Sequence, residues 1–483
     1  MSKEQGSKSF IKHFMVIGSG TLINMLLGLL TTPVITRIVE PTEYGQLSIF
    51  NLYVSIAVMV LCLGLDQAFI RFFYDYDSII YKRKLLAFCF IIPFIFSIIC
   101  GGILILISRF CSIKWEFSTL IIYLLVFNII ICIWNRFSIL LLRMNYDSKF
   151  YSVCNVIQKL VYVISALILL KLIKREYLTL LVIATVLSYT VPSIVATFRT
   201  RDYWRISKAG ILSNWKEIIL YGMPLILSMG LTTLFQAQDK LFLNYFCSYS
   251  EVGIYSSAMS LISIFAIIQT TFNSLWSPMQ VEHYVTNPDD TRFIEKGNSY
   301  ITLIMFFIGF SLILVKNLFV LLLGNKYREA AYIMPFLIFN PIMCTISETT
   351  CSGIGVSKKS YLNIWVAIGA FLSNAIGNFI LIPICGCKGA AISTGISYIV
   401  FWALRTFFSN KYYYVNYHLK KTTILIFLGI LYALYNTFRK FDILSIIGYL
   451  ICVGIMLFLY KDTLTEIVKY VLMFIRKKLN LQN

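Results

Sequence analysis

Apolar residues run along this chain in blocks of about twenty, the length a helix needs to cross a bilayer, and short polar segments separate the blocks. Applying that length predicts spans near residues 14–36, 44–66, 85–107, 118–142, 152–172, 178–198, 218–238, 252–276, 299–323, 331–351, 361–383, 389–409, 422–438 and 444–460. The expected fold class is therefore all-α, a polytopic membrane protein of about 14 transmembrane helices. The seventh block is the least well marked, because Gln236, Gln238 and Asp239 make its end polar. Past the last block, Leu464, Ile467, Val468, Val471, Leu472 and Ile475 share one helical face among Lys461, Lys469, Arg476, Lys477 and Lys478. That pattern predicts an amphipathic helix lying on the cytoplasmic leaflet over 461–483, the alternative being a frayed basic tail.

Composition excludes water as the main solvent: 59% of the 483 residues are hydrophobic, 13% are charged and mean hydropathy is +0.79. The formal net charge of +20 lies in the segments between blocks rather than on one face of a soluble domain, so it points to membrane topology and anionic lipid, not to nucleic acid. With the N-terminus inside, inner segments hold roughly 27 Lys and Arg and outer ones roughly 13. Lys171, Lys174 and Arg175 fall outside, against the trend. The reading is a multi-pass membrane protein with both termini cytoplasmic. The apolar run from Phe14 to Val39 is expected to stay as a first span, being too long for a signal-peptide core.

Motifs for catalysis or metal binding are missing. Of twelve cysteines, Cys62, Cys100, Cys132 and Cys344 fall singly inside spans, where a thiol behaves as a small hydrophobe. Cys385-Gly386-Cys387 lacks the further ligands zinc requires and reads as a sharp outer turn after Pro383. His13, His283 and His418 lie far apart, and no phosphate-cradling G-x-x-x-x-G-K-[ST] loop occurs. No catalytic residue, metal or cofactor is expected. A short E-x-G-x-x-S pattern recurs at Glu43–Ser48 and Glu251–Ser256, six spans apart, as in transporters built from parallel halves.

Charges inside spans carry the functional signal, because they are costly in lipid. Arg136 and Lys159 lie in adjacent antiparallel spans at one depth, and Arg143 follows Arg136 by seven residues. Asp66 and Arg71 close the second span, Asp239 and Lys240 the seventh, and Glu348 lies near the inner end of the tenth. The cations suit a phosphate-bearing ligand, while snorkelling to the interface is the alternative. Asp66, Asp239 and Glu348 are candidates for coupling to H⁺ or Na⁺. Gln269, Thr270, Thr271, Asn273, Asn363, Asn374 and Asn378 either line a wet cavity or join neighbouring helices.

Three stretches carry a resemblance. The segment Leu22–Ser48, with Arg37, Pro41, Glu43, Tyr44 and Gly45, resembles the opening of Wzx-type polysaccharide flippases. Asp239–Leu261 is similar to the stretch entering that family's second half, and Asn378–Tyr398 resembles its N-x-x-L-I-P-x-x-G-x-x-G-A-A element. These together point to the multidrug/oligosaccharidyl-lipid/polysaccharide (MOP) exporter superfamily. The resemblance implies two six-helix lobes around a central cationic cavity, plus two further helices. On that plan residues 1–198 form the N-terminal lobe, 199–217 a cytoplasmic linker, 218–409 the C-terminal lobe and 410–460 two additional spans. Arg37 and Arg71 join Arg136, Lys159, Arg143 and Lys240 as substrate-binding candidates.

The implied function is flipping of undecaprenyl-diphosphate-linked oligosaccharide repeat units to the outer leaflet, for surface polysaccharide such as O-antigen or capsule. Expected partners are that lipid-linked oligosaccharide, membrane lipid, a coupling H⁺ or Na⁺ and a polysaccharide polymerase. An ion-coupled drug antiporter of the same superfamily is the first rival, although cationic drugs sit poorly beside intramembrane Arg and Lys. A membrane-embedded polymerase or glycosyltransferase is the second. It would need a sizeable outer loop with acid–base residues, and the outer loops expected here are short.

Overall fold

A computed structural model describes residues 23, 26–110, 117–173, 175–205, 214–357, 359–466 and 468–469. The described residues are overwhelmingly helical, and none forms a strand. Twelve helices are long and apolar enough to cross a membrane, and Leu26–Thr36 and Ile443–Leu459 are shorter apolar helices. The chain divides into two compact units, Met1–Ala237 and Gln238–Asn483. Residues 470–483, which hold most of the expected interfacial tail, and Lys174, Ile467 and His13 lie outside the described residues.

The first unit runs from α1 (Leu26–Thr36) through α2 (Pro41–Leu61), α3 (Leu65–Phe72), α4 (Ile79–Phe110), α5 (Thr119–Met144), α6 (Ser148–Leu172), α7 (Tyr177–Arg199) and α8 (Arg201–Trp204) into α9 (Trp215–Phe246). Pro41 opens α2 with its ring preset for helix, and Glu43 reaches back to accept from Glu40 N at 3.0 Å. The Glu-Tyr-Gly motif is thus a helix start. The second span breaks at Leu63 and Gly64, which take left-handed φ values of 51° and 67°. A side chain at Gly64 would meet Gly222 O at 2.2 Å, so glycine permits both the turn and the close approach. Phe69 packs edge-on against Phe73 and Phe137 in the core of this unit. On α4 the apolar Ile95, Ile99 and Leu106 stay exposed; each would cost about 1.5–3 kcal/mol in water, and lipid removes that cost.

The second unit contains α10 (Tyr249–Ile262), α11 (Ala266–Thr286), α12 (Arg292–Leu314), α13 (Lys316–Val320), α14 (Ala330–Leu337), α15 (Phe339–Thr350), α16 (Ser352–Val356), α17 (Leu362–Cys385), α18 (Cys387–Tyr412), α19 (Leu419–Phe438) and α20 (Ile443–Leu459). Helices α17 and α18 form its tightest hairpin. Its turn is Gly386 alone, at φ 55°. The Glu251 carboxylate accepts from Cys387 N at 2.7 Å, capping the positive start of α18. The second E-x-G-x-x-S copy therefore holds the Cys-Gly-Cys turn. Cys387 is buried and Cys385 half-buried, so two free thiols flank a helix reversal.

Helix α19 packs on α14, α20 and α12. Lys316, fully buried, donates to Asn436 O at the end of α19, where carbonyls lack partners within the helix. Its ammonium also lies 5.1 Å from the Tyr332 ring centroid. Burial, with Lys388 adding to it, pushes the Lys316 pKa down to about 8.

The turn yields a topology test. In a variant whose only cysteine is Cys385, an impermeant thiol reagent should label intact cells, while a Cys387-only variant should resist. Labelling of Cys385 only after permeabilisation would reverse the orientation expected from loop charge. Lys316 yields a second expectation. Its folded pKa lies below the usual lysine value, so the unfolded chain binds more protons between about pH 8 and 10 and stability rises with pH across that window. Thermal unfolding in detergent from pH 8 to 9.5 should show the rise in the parent and a flatter profile in Lys316→Met.

Candidate functional site

Two buried carboxylates organise the polar interior, one in each unit. In the second unit, Asp239 sits on α9, only 5% exposed. Its Oδ1 accepts from Asn374 Nδ2 at 2.9 Å and Asn378 Nδ2 at 2.8 Å; its Oδ2 accepts from Tyr255 OH at 2.7 Å and lies 2.9 Å from Thr394 Oγ1. Asn374 and Asn378 are four residues apart on α17, hence on one face. Tyr255 comes from α10 and Thr394 from α18. Four donors compensate for the water that the carboxylate gives up. Among the described residues no Lys or Arg forms an ion pair with it, although Lys240 follows it in sequence.

Oxygens surround this carboxylate as well. Asn378 Oδ1 is buried without a partner among the described residues. Asn374 Oδ1 accepts from Ser393 Oγ at 2.7 Å, and Thr394 Oγ1 lies 2.9 Å from Ala390 O. Half-turns of the two amides would exchange nitrogen for oxygen toward Asp239. The site can thus balance one positive charge on Asp239, as a bound proton or as a small hard cation ringed by oxygens. Among the described residues no three His, Cys, Asp or Glu side chains gather as a metal site. Gly377 lies between the asparagines, and a side chain there would meet Ser393 Oγ at 2.3 Å.

In the first unit, the helix break at Gly64 places Asp66 in the first turn of α3, where a negative charge is favoured. Asp66 is 3% exposed. Its Oδ2 accepts from Arg136 Nε on α5 at 2.8 Å and from Gln67 Nε2 at 2.9 Å. Arg136 keeps 38% of its side chain accessible, so it turns one flank to the carboxylate and one outward. Sequence reasoning assigned these two residues to different roles; the structure joins them.

The remaining candidates are distributed. Lys159 on α6 and Lys240 on α9 are half-buried and make no hydrogen bond or ion pair among the described residues. Arg37 and Arg143 are exposed. Arg71 pairs with Asp75 at 3.0 Å and stands over Phe72. Glu348 on α15 pairs with Arg405 on α18 at 3.0 Å, and Arg405 also donates to Ser347 Oγ at 2.9 Å. Arg405 escaped the sequence reading because it stands one turn from the expected end of its span. Tyr255 and Thr394 escaped it too, since hydroxyls in a span carry no signal until a carboxylate faces them.

Comparison with known proteins places this geometry. A family described as "Polysaccharide biosynthesis protein" matches residues 10–283. The chain belongs to this family. An uncharacterized membrane protein, MJ1068 of Methanocaldococcus jannaschii, is 26% identical over 256 residues, 50% of this chain and 49% of that protein; the match thus spans about half of that relative. Among solved structures, the lipid II flippase MurJ in an inward closed conformation superposes with a TM-score of 0.70 at 12% identity, covering 95% of this chain and 100% of that one. An inward-facing multidrug resistance MATE family transporter of the MOP superfamily gives 0.52 at 18% identity, covering 81% and 94%. The polysaccharide biosynthesis family member described here is therefore a multi-pass membrane protein that shares its fold with these two structures.

The Asp66–Arg136 pair makes a stability prediction. Arg136→Ala strands a buried carboxylate. Complete burial of the pair would make that cost about 3–5 kcal/mol, and the open flank of Arg136 reduces it to about 1–3. Adding Asp66→Asn should recover most of the loss. Thermal unfolding of the purified protein measures both, and an Arg136→Ala single variant as stable as the parent would show that the pair contributes nothing to the fold.

Proposed function

We propose that this protein flips undecaprenyl-diphosphate-linked oligosaccharide repeat units from the inner to the outer leaflet by alternating access, for export of a surface polysaccharide, and that H⁺ or Na⁺ binding at Asp239 couples the cycle. Family membership and the likeness to a lipid flippase support transport of a lipid-linked substrate. Asp239 is the single observation that carries the reading further: a carboxylate in a spanning helix, ringed by donors and acceptors and in no ion pair among the described residues. A residue placed only to join helices needs no ionisable group, since an amide would bond the same neighbours at less cost. A diphosphate needs cations at membrane depth to replace lost water. Lys159 supplies one without a competing carboxylate, and Arg136 supplies another through its open flank. The chain itself does no covalent chemistry in this scheme.

Function should follow charge at these positions. Asp239→Asn keeps the size of the side chain and removes the titratable group; it should lower surface polysaccharide about tenfold or more at equal protein abundance, a coupling of the usual 1–3 kcal/mol. Lys159→Ala should lower it as well, and Asp66→Asn/Arg136→Ala should do so without the instability of Arg136→Ala alone. Polysaccharide on intact cells is read with a specific lectin or serum. Parental levels in Asp239→Asn would remove ion coupling at that site, and parental levels in a Lys159→Ala, Asp66→Asn, Arg136→Ala triple variant would remove the cations from the substrate path.

A further inference from the structure

Helices α18 and α19 follow one another in sequence but do not close on each other. Because α19 packs on α14, α20 and α12, a groove of about 570 Å³ stays open between the last turns of α18 and the first turns of α19. Its wall is apolar over most of its length, with Trp402, Ala403, Phe407 and Leu419, and it ends at Asn410 and Lys411. Asn410 is committed to the connecting loop, accepting from Val415 N at 3.3 Å. Phe407 is 67% exposed, so the groove opens sideways from a spanning helix. Its polar end lies where loop charge assigns the cytoplasmic surface.

Nearby lysines divide into two classes. Lys359 stands 3.8 Å from the Tyr412 ring centroid and Lys421 5.5 Å from that of Tyr460, so both have an aromatic partner. Lys411 and Lys420 are exposed and make no ion pair among the described residues. A slot in the hydrocarbon layer with apolar walls has no water to fill it, and leaving it empty forfeits dispersion contacts along its lining. A free ammonium at its mouth selects for negative charge.

We propose that this groove is a binding site for an anionic glycerophospholipid of the adjacent leaflet, one acyl chain lying along Trp402, Ala403 and Phe407 and the phosphate meeting Lys411. The site is independent of the transport reading and of the residues assigned to it.

Native mass spectrometry of the full chain, delipidated in neutral detergent and supplied with phosphatidylglycerol or phosphatidylcholine, tests the proposal. The parent should retain phosphatidylglycerol in preference. Lys411→Glu, at an exposed position that the fold does not need, should lower that retention about fivefold. Ala403→Trp, which fills the groove, should lower it as well, while Lys149→Glu, the same charge change at an exposed position of the other unit, should not. Equal retention of the two lipids by the parent would overturn the proposal. So would equal loss in Lys149→Glu and Lys411→Glu, or retention in Ala403→Trp at the parental level, which would put the headgroup on the surface with no chain in the groove. Size-exclusion profiles matching the parent confirm that each variant is folded.

Discussion

Hydrocarbon offers no hydrogen bonds, and that constraint governs every polar atom in the spanning part of this protein. A carboxylate there must find its donors inside the protein, as Asp239 does with two amides and two hydroxyls and Asp66 does with a guanidinium and an amide. The same requirement explains the helix ends. Glu43 and Glu251 accept from otherwise unpaired amides at helix starts, and Lys316 takes a carbonyl that α19 cannot satisfy. What looks like a scatter of charges along an apolar sequence is a set of local solutions to one problem.

The two carboxylates solve it in different ways. Asp66 is paired with Arg136, whose other flank stays open. Asp239 is held by two amides and two hydroxyls and forms no ion pair among the described residues. An anionic ligand drawn to Arg136 would compete with Asp66. One unit thus holds an ion pair and the other a carboxylate bonded to neutral donors.

Much of the fold was legible because length and apolarity are one-dimensional properties. The block pattern marks spans, and the break near Asp66 and the reversal at Gly386 carry their glycines in plain view. The site was legible only in part. Asp239, Asn374 and Asn378 each stand out as polar residues in apolar runs, but their meeting joins positions 135 and 139 residues apart. Single-sequence periodicity says nothing about which helix faces which. Thr394 and Tyr255 are ordinary in composition, and only the carboxylate gives them a role. Pairing of Arg136 with Asp66 was hidden for the same reason, 70 residues separating them. Boundaries also drifted: α4 extends from Ile79 to Phe110 beyond its apolar centre because Lys82, Arg83 and Lys84 favour helix as readily as the span does.

Gly377 holds no donor, acceptor or charge, yet it sets the calibre of the polar cluster around Asp239. Ser393 can lie against α17 only because nothing projects from that position, and the same close approach fixes how far Asn374 and Asn378 stand from Thr394 on the facing helix. If a guest binds beside Asp239 as proposed, backbone spacing bounds its radius and the carboxylate sets its sign. Size and charge selection would then reside in different residues.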